Sequence, residues 1–257
     1  MNVHGQYIAF RAILTKEVLR FTRIWIQTIL PPMITTALYF LIFGRLIGSQ
    51  IGDVHGFQYM QYIVPGLILM AVLTNSYANV VSSFFSAKFQ RNIEEMLVSP
   101  VPNYLILLGY IGGGLARGLS VGLAVTLVAM LFTPIPLHNL WVAISVLILT
   151  SILFSLAGLI NAIYAKNFDH ISIVPTFVLT PLTYLGGVFY SVSMLPPLWQ
   201  KVSLVNPILY MVNAFRYGLL GVSDVHLGVA YLAMFGFIAG LFGFALFLLN
   251  RGQGIRA

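Results

Sequence analysis

The chain has 257 residues, 59% of them hydrophobic and only 7% charged, against roughly a quarter charged in an ordinary soluble domain. So few charges cannot cover a soluble surface of this size, which excludes a soluble enzyme and makes the chain an integral membrane protein. The net charge of +7 gathers at the ends of apolar runs, as the positive-inside bias places it, and does not point to nucleic acid.

Residues Tyr7–Arg23 mix apolar Ile8, Ile13, Leu14, Val18 and Leu19 with Arg11, Lys16, Glu17, Arg20 and Arg23. That spacing predicts a basic amphipathic helix, within a cytoplasmic segment 1–23, lying on lipid at the inner membrane surface. The first apolar run begins only after it and is too long for the core of a cleavable signal peptide. Cysteine is absent, so disulfides and thiolate metal sites are excluded.

Each crossing needs about 20 mostly apolar residues. Six such runs are predicted near Ile24–Ile47, Tyr62–Phe85, Tyr104–Phe132, Leu140–Ala165, Ile171–Tyr190 and Gly228–Asn250. With the N-terminus in the cytoplasm, the inner segments hold Arg11, Lys16, Arg20, Arg23, Lys88, Arg91, Lys166, Arg251 and Arg256. The outer segments hold Arg45, Lys201 and Arg216. Nine against three places both termini in the cytoplasm.

In the first run, Pro31-Pro32 and Thr35-Thr36 are followed by Tyr39, Phe40 and Phe43; in the fifth, Pro175 and Pro181 interrupt the helix among Thr176, Thr180, Thr183 and Tyr184. Broken, hydroxyl-bearing and aromatic helices of this kind can repack around an amphiphile, although prolines and aromatics are also ordinary in membrane helices. The second run carries Ala71, Asn75, Asn79, Ser83 and Ala87 at a spacing of four. Asparagine facing lipid is costly, so this stripe must face protein or water, as a helix contact or a pathway wall. The third run carries Gly109, Gly113, Gly114, Gly118 and Gly122, a small-residue ridge suited to packing within the subunit or at a dimer seam. Arg117 lies inside that ridge, either functional or reaching toward the interface. Gly118–Gly122 matches a nucleophile-elbow pattern, but inside a helix and without the strand-turn-helix context it carries no catalysis.

The segment Ala87–Pro102, AKFQRNIEEMLVSPVP, is a charged island between apolar runs and so must lie outside the hydrocarbon, within a cytoplasmic loop spanning 86–102. A short helix over Phe89–Leu97 would expose Arg91, Glu94 and Glu95 and turn Phe89, Ile93, Met96 and Leu97 inward. The outer stretch 190–226 is long yet apolar, and Pro196-Pro197 and Asn206-Pro207 cut it into pieces too short to cross. It reads as a re-entrant or interfacial helical hairpin, with Trp199, Tyr210 and Tyr217 at the headgroups and Lys201 and Arg216 reaching the surface.

Six spans, the inner NIEEMLVSPV, and the outer LPPLWQKVSLVNPILYMVNAFR with Asn206, Pro207, Tyr210 and Arg216 together resemble the permease subunit of ABC-2 type transporters. The likeness extends over the whole chain, 1–257, as a single transmembrane domain. It implies an all-α membrane fold with an N-terminal interfacial helix, a cytoplasmic coupling helix and an outer re-entrant hairpin before the last span. It further implies a homodimer of permeases with two separate ATP-binding subunits docked on the cytoplasmic face, in a bacterial inner membrane. In that frame Phe89, Arg91, Asn92, Glu94, Glu95 and Leu97 touch the ATPase. Thr36, Tyr39, Phe40 and Phe43 of the first span and Thr176, Thr180, Thr183 and Tyr184 of the fifth line the dimer cleft. Pro196, Trp199, Asn206, Pro207, Tyr210 and Arg216 form the outer motif.

The chain has no G-x-x-x-x-G-K-[ST] phosphate loop, so it is expected to be no enzyme, with ATP and magnesium held by the partner subunit. Metal-ligand clusters, paired catalytic carboxylates and nucleic-acid motifs are also missing from the sequence; Asp53, Asp169 and Asp224 stand singly in loops. The expected function is export of an amphipathic or hydrophobic solute, such as a drug, lipid or glycan. An ion-coupled carrier or channel is the alternative, and it would require intramembrane carboxylates that the predicted spans lack.

Overall fold

The computed structural model describes residues 2–252; the side chains of Arg45, Ser49 and Leu97, and Arg256 with its neighbours, lie outside the described residues. The chain begins with α1 (Val3–Arg23), opened by Asn2, whose side chain accepts from the Gly5 amide at 3.1 Å. Ile24 leaves helical geometry, and α2 (Trp25–Tyr39) follows at once, wound into π-helical turns over Phe40–Ile47 and a last turn, α3 (Gly48–Ile51). A two-residue hairpin pairs β1 (Asp53–Val54) with β2 (Phe57–Gln58). Its turn residues His55 and Gly56 have φ of 52° and 81°, the left-handed pair that matches strand twist in the tightest hairpins.

Next come α4 (Tyr59–Phe89), α5 (Asn92–Val98), α6 (Asn103–Met130) and α7 (Leu140–Tyr164). Beyond them, α8 (Phe168–Val174) runs through π-helical turns (Pro175–Leu179) into α9 (Thr180–Tyr184). The outer stretch holds α10 (Pro197–Val205) and α11 (Pro207–Leu220), and α12 (Leu227–Arg251) ends the described chain. Side chains of Asn139, Asn167, Asn206 and His226 cap α7, α8, α11 and α12, accepting from early amides that have no partner in the helix.

Among the described residues, five helices are long and apolar enough to cross a membrane: Trp25–Gly44, α4, α6, α7 and α12. Their burial sets their places. The most apolar stretch of α4 is 83% buried, against 17% for α2 and 22% for α12. Thus α4 is the central post, packed on α6, α7 and α11, and α2 and α12 form the rim. The run expected as a fifth crossing is a helix from Phe168 to Tyr184 whose α winding is broken by the π-helical turns, about 25 Å at 1.5 Å per residue. It is shorter than the roughly 30 Å hydrocarbon core, and it ends six residues before the expected Tyr190. Pro175 and Pro181 remove amide donors along it, and the turns between them rewind from α to π.

Small residues set the helix spacing. Gly109 and Gly113 of α6 lie under Ile13 and Glu17 of α1, while Gly114 and Gly118 lie against Ser155 of α7 and Ser76 of α4. The glycine ridge is therefore consumed inside one subunit, between α1 on one side and α4 and α7 on the other. Gly158 of α7 admits the Tyr77 carbonyl of α4 so closely that an added Cβ would sit 2.6 Å from its oxygen.

The docking of α1 departs from expectation. The sequence places Glu17 on a solvated face of a helix lying on lipid, yet Glu17 is fully buried against α6. Ser83 donates to its Oε1 at 2.6 Å, and Arg20 stands 3.5 Å from Oε2. The close approach across Gly109 and Gly113 allows it; Arg20, with Lys16 3.9 Å from Oε1, offsets the charge, and Ser83 supplies a hydrogen bond. The outward side of α1, with Tyr7, Ile8, Lys16 and Leu19, stays exposed.

Candidate functional site

The charged island forms two pieces, not one helix from Phe89. α4 runs on through Phe89; Gln90 and Arg91 turn the chain, with Arg91 left-handed at φ 61°, and α5 begins at Asn92. Helical periodicity does not carry across that turn, which corrects the expected placing of Phe89. Its ring is 63% exposed, at the edge of a cluster with Phe85 and Phe168 at 6.2 and 5.2 Å. Arg91, Asn92 and Glu95 are exposed, Glu94 is half-buried and Ile93 is fully buried beneath them. Glu94 and Glu95 fall in the first turn of α5, where acidic groups oppose the positive end of the helix dipole. Val98 closes the surface, strongly exposed. Thus this end of the bundle pairs an acidic helix with exposed phenylalanines.

A cleft runs along α4 between α2 and the broken helix 168–184. Its inner chamber, about 330 Å³, is walled by α2 through Gln27, Thr28, Pro31, Pro32, Thr35, Thr36 and Tyr39 and floored by α4 through Met70, Thr74 and Asn75; Arg117 of α6 lies at the back. A second chamber, about 450 Å³, meets Thr176, Thr180, Thr183 and Tyr184 on the broken helix and Tyr77 and Ser82 on α4. The two share Met70 and Thr74. Pro31 and Pro32 have no amide to donate to the carbonyls of Gln27 and Thr28, which weakens the helix along this wall. Thr183 and Thr180 turn their hydroxyls back to Leu179 and Pro175 carbonyls, at 2.7 and 2.9 Å. At the outer end, Phe189 sits between Tyr39 (5.7 Å), Phe43 (4.9 Å) and Tyr184 (5.8 Å) and closes the cleft with rings.

Of the residues expected in the pathway, Thr36, Tyr39, Thr176, Thr180, Thr183 and Tyr184 line this cleft, and Phe43 belongs to its aromatic end. Phe40 does not. It is fully buried and stacked on Phe132 at 5.4 Å, on the side of the helix turned to α6. Asn75 and Arg117 are the additions that matter. The spacing-four stripe on α4 signals Asn75, and the structure divides that stripe. Asn79 and Ser83 hold α1, with Arg20 donating to the Asn79 carbonyl and side-chain oxygens at 2.7 and 2.8 Å. Ala71 and Asn75 face the chamber.

The outer motif is an anchor. Asn206 caps α11 by accepting from the Ile208 amide at 3.0 Å and donates to the Leu182 carbonyl at 2.6 Å. Tyr210 donates to the Leu204 carbonyl, also at 2.6 Å, folding α11 back onto α10 across Pro207. Trp199 and Pro196 are exposed on α10 and its approach. Arg216 does not reach the surface as expected. It is 1% exposed, 4.0 Å above the Tyr62 ring, and donates to the Gly187 carbonyl at 2.6 Å. Packing of α11 on α4 and α7 turns this position inward, and the open turn at Gly187 supplies the acceptor. Beside it, Asp224 accepts from Ser191 and the Val192 amide, at 2.8 and 3.0 Å.

A bundle of lipid-length helices around a buried post, with an acidic inner surface and a polar cleft, defines a multi-pass membrane permease. A family model described as ABC-2 type transporter matches residues 8–220, and the chain belongs to that family. It is 58% identical to the inner membrane transport permease YadH of Escherichia coli K12 over 256 residues, 99% of this chain and all of that protein. It is also 24% identical to nodulation protein J of Rhizobium meliloti over 219 residues, 85% of this chain and 84% of that one. Nodulation protein J of Sinorhizobium fredii matches at 26% over 186 residues, 72% and 70% of the two chains. The chain is thus a transmembrane transport component and not itself an ATPase; its family associates with ATP-binding cassette subunits.

Proposed function

We propose that this chain is the membrane-spanning half of an ATP-driven exporter, moving an amphipathic or hydrophobic solute out of the cytoplasm or inner leaflet. The observation that carries the reading is the cleft along α4, walled by the two helices that proline and π-helical turns make deformable. Two copies pair across these walls, each served by an ATP-binding subunit that holds ATP and magnesium; this chain needs no cofactor of its own. The exposed apolar face of α2, with Trp25, Ile26, Leu30, Ile34 and Leu38, supports such pairing. The ATPase grips Phe89, Arg91, Asn92, Glu94, Glu95 and Leu97. The location is the inner membrane of a bacterium, as the name of the 58%-identical relative from Escherichia coli has it. The broken helix 168–184 serves as the fifth crossing in chain order and α12 as the sixth, with α10 and α11 as a re-entrant hairpin on the outer side, which returns both termini to the cytoplasm.

An ion-coupled carrier would need a carboxylate facing the path. Glu17 is the only buried carboxylate among the described residues, its oxygens are turned to Ser83 and Arg20, and neither chamber is lined by a carboxylate. The exporter is favoured on that ground. In vesicles containing the chain and its ATPase, ATP should drive loss of a fluorescent alkyl solute from one leaflet, and the chain alone should ignore nucleotide. Solute movement by the lone chain, driven by an ion gradient, would refute the reading.

A further inference from the structure

The charge in the inner chamber has no counter-charge. Arg117 lies 14 residues from the start of α6, and Asn75 lies 14 residues from the end of α4, each about 21 Å along its helix. The start of α6 and the end of α12 mark one level: Asn103 bonds to Asn250, in the last turn of α12, at 2.8 Å. Arg117 therefore sits near mid-membrane, where an unpaired guanidinium costs at least a few kcal/mol unless it is solvated or paired.

Its protein partners are few. Nη2 donates to the Asn75 side-chain oxygen at 3.0 Å, and the buried Nε has no partner. No carboxylate forms an ion pair with it among the described residues. Arg117 itself lines the chamber. Of all the groups lining the two chambers, Arg117 alone carries a charge. Gln27, Thr28 and Thr35 line the same chamber, while the adjoining chamber is largely apolar. The buried anchor of α1 does not neutralise it either: Glu17 is committed to Ser83 and Arg20.

We infer that the inner chamber binds the anionic head of an amphiphile, a phosphate or carboxylate, at Arg117, with its apolar tail lying in the chamber along the broken helix. This rests on the exporter reading and gives its substrate a charge. Charge-assisted bonds to an anion would neutralise the guanidinium, as the uncharged Asn75 side chain does not. A cationic head would meet uncompensated repulsion, and a neutral one would leave the guanidinium unpaired.

The test uses the full-length chain in phosphatidylcholine nanodiscs, without nucleotide or ATPase, and radiolabelled twelve-carbon probes corrected for uptake by empty discs. Dodecyl phosphate and dodecanoate should bind about tenfold tighter than dodecanol or dodecyltrimethylammonium. Arg117→Gln should erase that preference and leave dodecanol unchanged; Arg117→Glu should turn it toward the ammonium probe. Inorganic phosphate should not displace dodecyl phosphate, because the tail is required. Competition by phosphatidylglycerol in the disc would identify the bilayer's own anionic lipid as the occupant, and lack of it a separate solute; both belong to the inferred class. Equal affinities across head charges in the parent chain, or an undiminished preference in Arg117→Gln, overturn the inference, and the parent comparison decides if the variant does not fold. Binding is read without transport, so such a result leaves the exporter standing, and failure of ATP-driven movement leaves the binding result intact.

Discussion

Lys88, in the last turn of α4, donates from Nζ to the carbonyl oxygens of Ile163 and Ala165, at 2.6 and 2.8 Å. Those oxygens belong to the end of α7, where the last carbonyls have no helical partner and the dipole is negative. The inner ends of two closely packed helices are thereby fastened beside α5. Lys88→Met leaves both carbonyls wanting and should cost on the order of 1–3 kcal/mol. The expected readout is a lower unfolding midpoint in nanodiscs, with Lys88→Arg close to the parent. Equal midpoints for Lys88→Met and the parent would remove the clamp.

The same inner surface carries the coupling prediction. Glu94 and Glu95 project from a helix whose Ile93 is fully buried, so α5 is held to the bundle while its acidic side stays accessible. Interfacial charges of this kind set register and partner choice more than raw affinity. The double variant Glu94→Lys with Glu95→Lys should insert in the membrane at parental levels but abolish stimulation of the partner's ATP hydrolysis. Full stimulation by that variant would strip α5 of the coupling role.

The spans were legible because hydrophobic length is a coarse signal: five of the six expected runs coincide with long apolar helices, and the remaining one with the broken helix. The proline positions also located both walls of the cleft. What stayed hidden depends on side-chain direction across non-local contacts. Arg216 and Glu17 look like surface charges in the sequence, because their acceptors and donors, Gly187, Ser83 and the rings of α4, lie tens of residues away. Phe89 was misplaced for a local reason, since nothing in NIEEMLV announces the left-handed Arg91 that ends one helix and starts another. The surroundings of Arg117 are not legible in the sequence, because Asn75 lies 42 residues away and the chamber is built by three helices.

The burial of Glu17 makes a sharper prediction about α1. Breaking a buried ion pair by removing one partner is expected to cost about 3–5 kcal/mol, whereas replacing both with apolar groups is often far milder. Glu17→Leu or Arg20→Met alone should therefore lower thermal stability strongly, and the double variant should recover much of the loss. Measured as a double-mutant cycle, the coupling should exceed about 1 kcal/mol. Additive losses would mean that α1 is held by its apolar contacts with Gly109 and Gly113 and that the charges are incidental.

Arg216 holds the outer hairpin to the core through three kinds of contact: the Gly187 carbonyl, the face of Tyr62 and the packing of α11 on α4. Lysine cannot reproduce a planar group lying on a ring while donating sideways, so Arg216→Lys should loosen the turn at Gly187 nearly as much as Arg216→Leu. The chain has no cysteine, so one introduced thiol reports cleanly. Val188 is fully buried beside that turn; Val188→Cys should resist a water-soluble maleimide in the parent background and label readily when Arg216→Lys is added. If labelling stays slow in the combined variant, the hairpin is held by Asn206 and the α11 packing, and the guanidinium does not fasten the turn.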